Sequence, residues 1–151
     1  MNTFRIAFYK GTRPGVAGVY NRLVRSRGRG PYSHVELCFP GGWCASSSFA
    51  DGGVRWKEME LGGDNWDFIE LPIEWEPAAR QWFVVHQGSK YDLWGNVHLT
   101  IGFVSDSADK YFCSEAIAAA LLINEPWRME PNALYQVVKR LVSVSEQFNE
   151  T

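Results

Sequence analysis

Alternating hydrophobic and polar positions dominate the first half of the chain, and helical spacings dominate the second. Residues 4–9 alternate enough for a strand. Over residues 33–39 the alternation is strict, with Val35, Leu37 and Phe39 on one face and His34, Glu36 and Cys38 on the other. Pro40-Gly41-Gly42 predicts a hairpin turn into a strand over 43–48, and Asp51-Gly52-Gly53 a second turn into 54–57. Residues 66–71 read as a further strand of this meander. Apolar residues at Val16, Val19, Tyr20, Leu23 and Val24 predict a short amphipathic helix over 16–25. A stripe of Ala79, Trp82, Phe83 and His86 predicts another over 76–87, closed by Gly88. Residues 91–103 are apolar but carry Gly95 and Gly102, which fits a bent helix or a buried loop. The alanine-rich run at 116–122 makes 113–123 the most regular helix, with Asn124 as its stop. A last helix opens on Pro131 and runs to 140. Strands followed by helices, with no repeat or linker, predict one α+β domain over 1–151, an antiparallel sheet packed against helices.

Composition narrows the function more than the fold. At 151 residues, 46% hydrophobic and 21% charged, the chain can bury a core without staples. A net charge of −2 excludes the global basic field that would draw nucleic acid or an anionic membrane. No apolar run approaches the roughly 18 residues of a membrane span, and the first ten residues lack a leader pattern. The expected setting is cytoplasmic, or delivery without a signal peptide, as by a phage or secretion particle. Three cysteines, an odd number, do not suit a disulfide framework and fit a reducing compartment with a free thiol. The 7 Trp fit either a bulky core or an aromatic cleft. Arg13, Arg22, Arg25, Arg27 and Arg29 form a basic cluster, either a solvated face or the binding side for a substrate carboxylate or phosphate.

Two residues concentrate the chemistry. Cys113 opens the most regular helix, where the positive end of the helix favours a thiolate and free amides can receive an oxyanion. His34 shares its strand face with Glu36 and Cys38, a polar side unsuited to a dry core and suited to a cleft. An imidazole within reach of the thiol would activate it for acyl transfer. His86 and His98 lack such a strand context.

Ser33-His34-Val35-Glu36 on an early strand, Tyr91-Asp92, and Phe112-Cys113-Ser114-Glu115 at a helix start resemble the circularly permuted papain-like cysteine hydrolases. That group includes the YiiX/YebB-like proteins, related to NlpC-type amidases and to lecithin:retinol acyltransferase. The likeness spans about residues 30–125, and its order of His before Cys matches the residues read alone. It implies a permuted papain-like (NlpC-type) fold. It also implies hydrolysis of peptide-amide or lipid-ester bonds through an acyl-enzyme on Cys113, with cell-wall peptide the leading amide. Tyr91 and Ser114 would line the substrate and oxyanion site. No cofactor or metal is implied.

The chain departs from that family at the third catalytic position. The strand after His34, Trp43-Cys44-Ala45-Ser46-Ser47-Ser48, carries no carboxylate. Either a serine (Ser46, Ser47 or Ser48, with Ser47 foremost) or Glu36 would orient His34; same-face neighbours on a strand stand about 6.5–7 Å apart along the backbone, a long reach for Glu36. Ser47 is taken first and Glu36 second. The missing carboxylate keeps a non-catalytic binding module of the same fold open as an alternative, and an acyltransferase would use the same acyl-enzyme with another acceptor. The five-residue gap between Cys38 and Cys44 does not match common zinc-binding spacings.

Overall fold

A computed structural model of the chain describes residues 3–12, 30–48, 51–88 and 112–149. The predicted helix over 16–25, the arginine cluster and the segment 91–103 with Tyr91 and Asp92 lie outside the described residues.

Five strands form one antiparallel sheet: β1 (Arg5–Tyr9), β2 (His34–Cys38), β3 (Trp43–Ser48), β4 (Gly53–Glu58) and β5 (Trp66–Glu70). The described helices are α1 (Glu76–His86), α2 (Phe112–Ala120) and α3 (Pro131–Asn149). The architecture is therefore α+β, with strands and helices segregated along the chain as the periodicities predict.

The tight turns follow their glycines. Gly41 and Gly42 both take positive φ, 91° and 87°, between β2 and β3, a conformation that side-chain-bearing residues rarely adopt. The meander holds from β2 to β4 but not beyond. The strand order is β4-β3-β2-β1-β5, so β5 pairs with β1 on the far side of the sheet and not with β4. The connection has a reason to cross. Met59, Leu61 and Trp66 pack against Ala7, Cys38 and Cys44, covering one face of the sheet with apolar side chains.

The opposite face carries the main core. Ile6, Phe8, Val35, Leu37, Ala45 and Val54 meet Ala79 and Phe83 of α1, Ala116, Ile117 and Ala120 of α2, and Leu134 and Val138 of α3. The strand residues among these, and Ala79 and Phe83 of α1, are positions that alternation and the helical stripe select. Helix α2, rich in alanine, has little side-chain bulk and packs directly on β2 and β3.

Helix α2 ends earlier than its composition suggests, and not at Asn124. Leu122 sits in the left-handed region at φ 57°. The Ile123 N–H donates to the Ala118 carbonyl at 2.9 Å and the Leu122 N–H to that of Ala119 at 3.0 Å, the paired bonds of a Schellman end. Helix α3 runs past residue 140 because no glycine or proline interrupts it, and Val142 extends its packing stripe.

Candidate active site

The site forms where the start of β2 meets the start of α2. His34 is the first residue of β2. The strand entrance is fixed from α3: the Tyr32 N–H donates to Asn132 Oδ1 at 3.0 Å, and Asn132 Nδ2 donates to the Tyr32 carbonyl at 3.2 Å. One carboxamide thus satisfies a whole peptide unit two residues before His34, as a neighbouring strand would. A second anchor is the Tyr32 hydroxyl, which donates to Asp67 Oδ2 at 2.8 Å.

Cys113 is the second residue of α2 and is buried. Its backbone N–H belongs to the first turn, whose amides have no partner within the helix. The thiol is close enough to the His34 imidazole for the two to interact electrostatically. His34 Nε2 lies 2.7 Å from Glu36 Oε1. Glu36 is ionised and can only accept, so Nε2 carries the hydrogen. The imidazole thus has Cys113 and Glu36 as its two partners.

Two opposed influences set the His34 charge. Burial disfavours the imidazolium, but Cys113 and Glu36 more than offset it and raise the pKa to about 10. Burial likewise pushes Glu36 up, and hydrogen bonds from His34 and Arg55 outweigh it and hold the carboxyl below the ordinary range.

Glu36 is fully buried and held as a carboxylate by Arg55 of β4. Arg55 Nη1 donates to Oε2 at 2.7 Å, and Nη2 donates to Oε1, the oxygen that also accepts from His34. The Arg55 Nε donates to Asp51 Oδ2 at 3.0 Å. Burial would raise Asp51, but Lys57, Arg55 and Ser48 bring its pKa down to about 2. The chain of charges therefore alternates in sign from His34 out to Lys57.

Strand register explains why these side chains meet. Ser46 pairs with Arg55, and the β2–β3 pairing of Leu37 with Ala45, carried one step further, sets Ser46 beside Glu36. Glu36, Ser46 and Arg55 form one row on one face. Ser46 is fully buried and donates to the Val35 carbonyl at 2.7 Å. On the other flank Glu36 pairs with Ala7. The carboxylate lies between two small residues.

Glu36, and not Ser47, is therefore the residue bonded to His34. Ser47 pairs with Val54, a core residue, and shares the apolar face with Ala45. Alternation places Ser47 correctly on the face of Ala45, but that is the wrong face for His34. Ser114 is buried, and its hydroxyl donates to the Met129 carbonyl at 2.5 Å, which ties α2 to the turn before α3. Tyr91 lies outside the described residues. Arg55 was not singled out by the sequence reading, and Ser46 only as one of three serines that could orient the ring. The only signal for Arg55 is its place in the alternation Val54-Arg55-Trp56, which puts a cation on the polar side of β4.

Among the described residues no group of three His, Cys, Asp or Glu side chains is placed to hold a metal ion. Comparison with protein-family models, curated proteins and solved structures found no match to this chain.

Proposed function

We propose that the chain is a cysteine hydrolase, acting on amide or ester bonds through Cys113, His34 and Glu36. The observation that carries this reading is the imidazole held between a thiol and a buried carboxylate, with Nε2 2.7 Å from Glu36 Oε1. An unused core histidine has no reason to be flanked in that way. The absence of a carboxylate on β3, the ground for a non-catalytic module, loses its force because Glu36 supplies one from β2 itself.

The chemistry follows from the arrangement. His34 takes the Cys113 proton, and the thiolate attacks the carbonyl carbon of the substrate. The negative charge that develops on the carbonyl oxygen is met by the free N–H of Cys113 at the helix start. His34 returns the proton to the departing amine or alcohol, leaving an acyl group on Cys113. Water, deprotonated by His34, then releases the acid and restores the thiol. Glu36 keeps the ring in one tautomer and orientation and stabilises the imidazolium, as a buried carboxylate does in serine and cysteine triads. Arg55 keeps Glu36 ionised and fixed.

The order of His34 and Cys113, with the α+β sheet and helices, supports a permuted papain-like fold and substrates of the peptide-amide or lipid-ester class. Labelling with an acyl-type electrophilic probe tests the reading. Wild-type protein should label on Cys113, Cys113→Ala should not label, and His34→Ala should label far more slowly. Equal labelling of all three would overturn it. Adding an amine or alcohol acceptor to turnover reactions then separates hydrolysis from acyl transfer.

A further inference from the structure

A second pair of reactive groups lies further along the sheet face that carries His34 and Glu36, at the far end of β2. Cys38 and Cys44 are directly opposed in the β2–β3 register, and their sulfurs stand 3.3 Å apart. The neighbouring pair, Phe39 with Trp43, is hydrogen-bonded, the Phe39 N–H donating to the Trp43 carbonyl at 2.8 Å. Bonded and non-bonded pairs alternate along an antiparallel ladder, so Cys38 and Cys44 occupy a non-hydrogen-bonded position. Cα atoms there lie about 4.5 Å apart, within the roughly 4.4–6.8 Å that a disulfide spans. Both thiols are free and buried from bulk water. They nevertheless line a cleft of about 390 Å³, together with Arg5, Trp43, Met59 and Leu61.

We propose that Cys38 and Cys44 form a redox site, a dithiol that a hydroperoxide entering this cleft converts to a cross-strand disulfide. The two thiols are already unequal. The hydrogen bond with Cys38 lowers Cys44, with Arg55 and Arg5 assisting against burial and Glu36, and the same contact raises Cys38. Cys44, which also pairs with the cation Lys57 of β4, is taken as the nucleophile and Cys38 as the resolving thiol. The Cys44 sulfur attacks one peroxide oxygen, the O–O bond breaks, and the departing hydroxide takes up the proton Cys44 has lost. The Cys38 sulfur then attacks the Cys44 sulfenic acid, the S–O bond breaks, and water leaves with the Cys38 proton. Two thiols give up two electrons and two protons, and one hydrogen peroxide becomes two waters. The hinge is favourable because only the strand pair joined by Gly41 and Gly42 has to tighten.

The site is separate from Cys113 and is tested without it. Folded Cys113→Ala protein, and Cys113→Ser as a second background, is exposed to hydrogen peroxide and then denatured. The expected product is two hydrogens lighter, with its thiol count reduced from two to none. Both cysteines fall in one tryptic fragment, so the product is cut with chymotrypsin after Trp43, and the two halves should stay joined until reduced. Cys44→Ser in either background should abolish the link. Two intact thiols, a sulfinic acid, or a disulfide-linked dimer, under peroxide exposure sufficient to oxidise free cysteine, would overturn the proposal.

Discussion

Arg55 binds both carboxylate oxygens of Glu36 although β3 lies between their strands. Strands two apart are separated by about 9.5 Å, so the guanidinium must lie over the intervening residue, and Ser46 is small enough to allow it. Ser46→Leu is expected to push the guanidinium off the carboxylate and leave the buried Glu36 with His34 but without its bidentate partner. Such a loss costs about 3–5 kcal/mol, read as a drop in the urea midpoint. Ser46→Ala, which removes only the hydrogen bond to Val35, should cost about 0.5–1.5 kcal/mol.

The imidazole beside Cys113 is the base on which the proposed chemistry depends. Alkylation of Cys113 by iodoacetamide should therefore be about 100-fold slower in His34→Ala than in wild-type protein, because the group that takes up the thiol proton is lost. The Cys113→Ala protein serves as the blank for the other two thiols. A rate unaffected by loss of His34 would remove the imidazole from the mechanism.

Removing the carboxylate should act on His34 first. In Glu36→Gln the ring loses its ionised acceptor, so its pKa should fall and alkylation of Cys113 should slow. Arg55 would then keep Asp51 but lose Glu36 as a charge partner, and the double variant Glu36→Gln, Arg55→Gln separates that effect. If the rate recovers in the double variant, Glu36 acts only through Arg55 and the proposed orientation of the ring fails.

Stability should depend on pH in opposite senses for the two groups. His34 is raised from 6.5 to about 10 in the folded chain, so its contribution is complete below about pH 6.5 and lost as pH rises through 10. Glu36 is lowered, so its contribution is present above its ordinary value of 4.5 and lost as pH falls through the depressed one. Proton NMR titration of the His34 ring checks the first point directly. Its midpoint should fall in Cys113→Ala, because the largest influence holding it up is Cys113.

The left-handed Leu122 makes a stabilising substitution available. Its side chain is 77% exposed, so Leu122→Gly sacrifices little packing while relieving a conformation that costs a non-glycine residue about 1 kcal/mol. Thermal unfolding should shift upward by about 2–4 °C for a chain of this size. A lower midpoint would show that the leucine packs more than its exposure implies.

Periodicity made most of the fold legible. Alternation over 33–39 assigned every β2 residue to its proper face, and the stripe of α1 included Ala79 and Phe83, which reach the core. What it could not convey was strand order, since nothing local distinguishes a β5 that joins β4 from one that crosses to β1. The end of α2 was misjudged because a left-handed leucine violates the preference for Gly or Asn on which such a reading depends. At the site, Cys113 and His34 were visible as types in context. Glu36 was placed behind Ser47 because its reach to His34 depends on a side-chain conformation, and the restraint on that conformation comes from Arg55, two strands away.

His34 and Glu36 are borne by a single stretch of backbone, and Asn132 fastens the entrance to that stretch. On the proposed reading, base and orienting acid share one strand, and Cys113 arrives on a separate element, the helix α2 seated on that sheet. A disturbance that slid this helix would then part the thiol from the imidazole while leaving the His34–Glu36 contact in place. Ser114, donating to the Met129 carbonyl, ties that helix down.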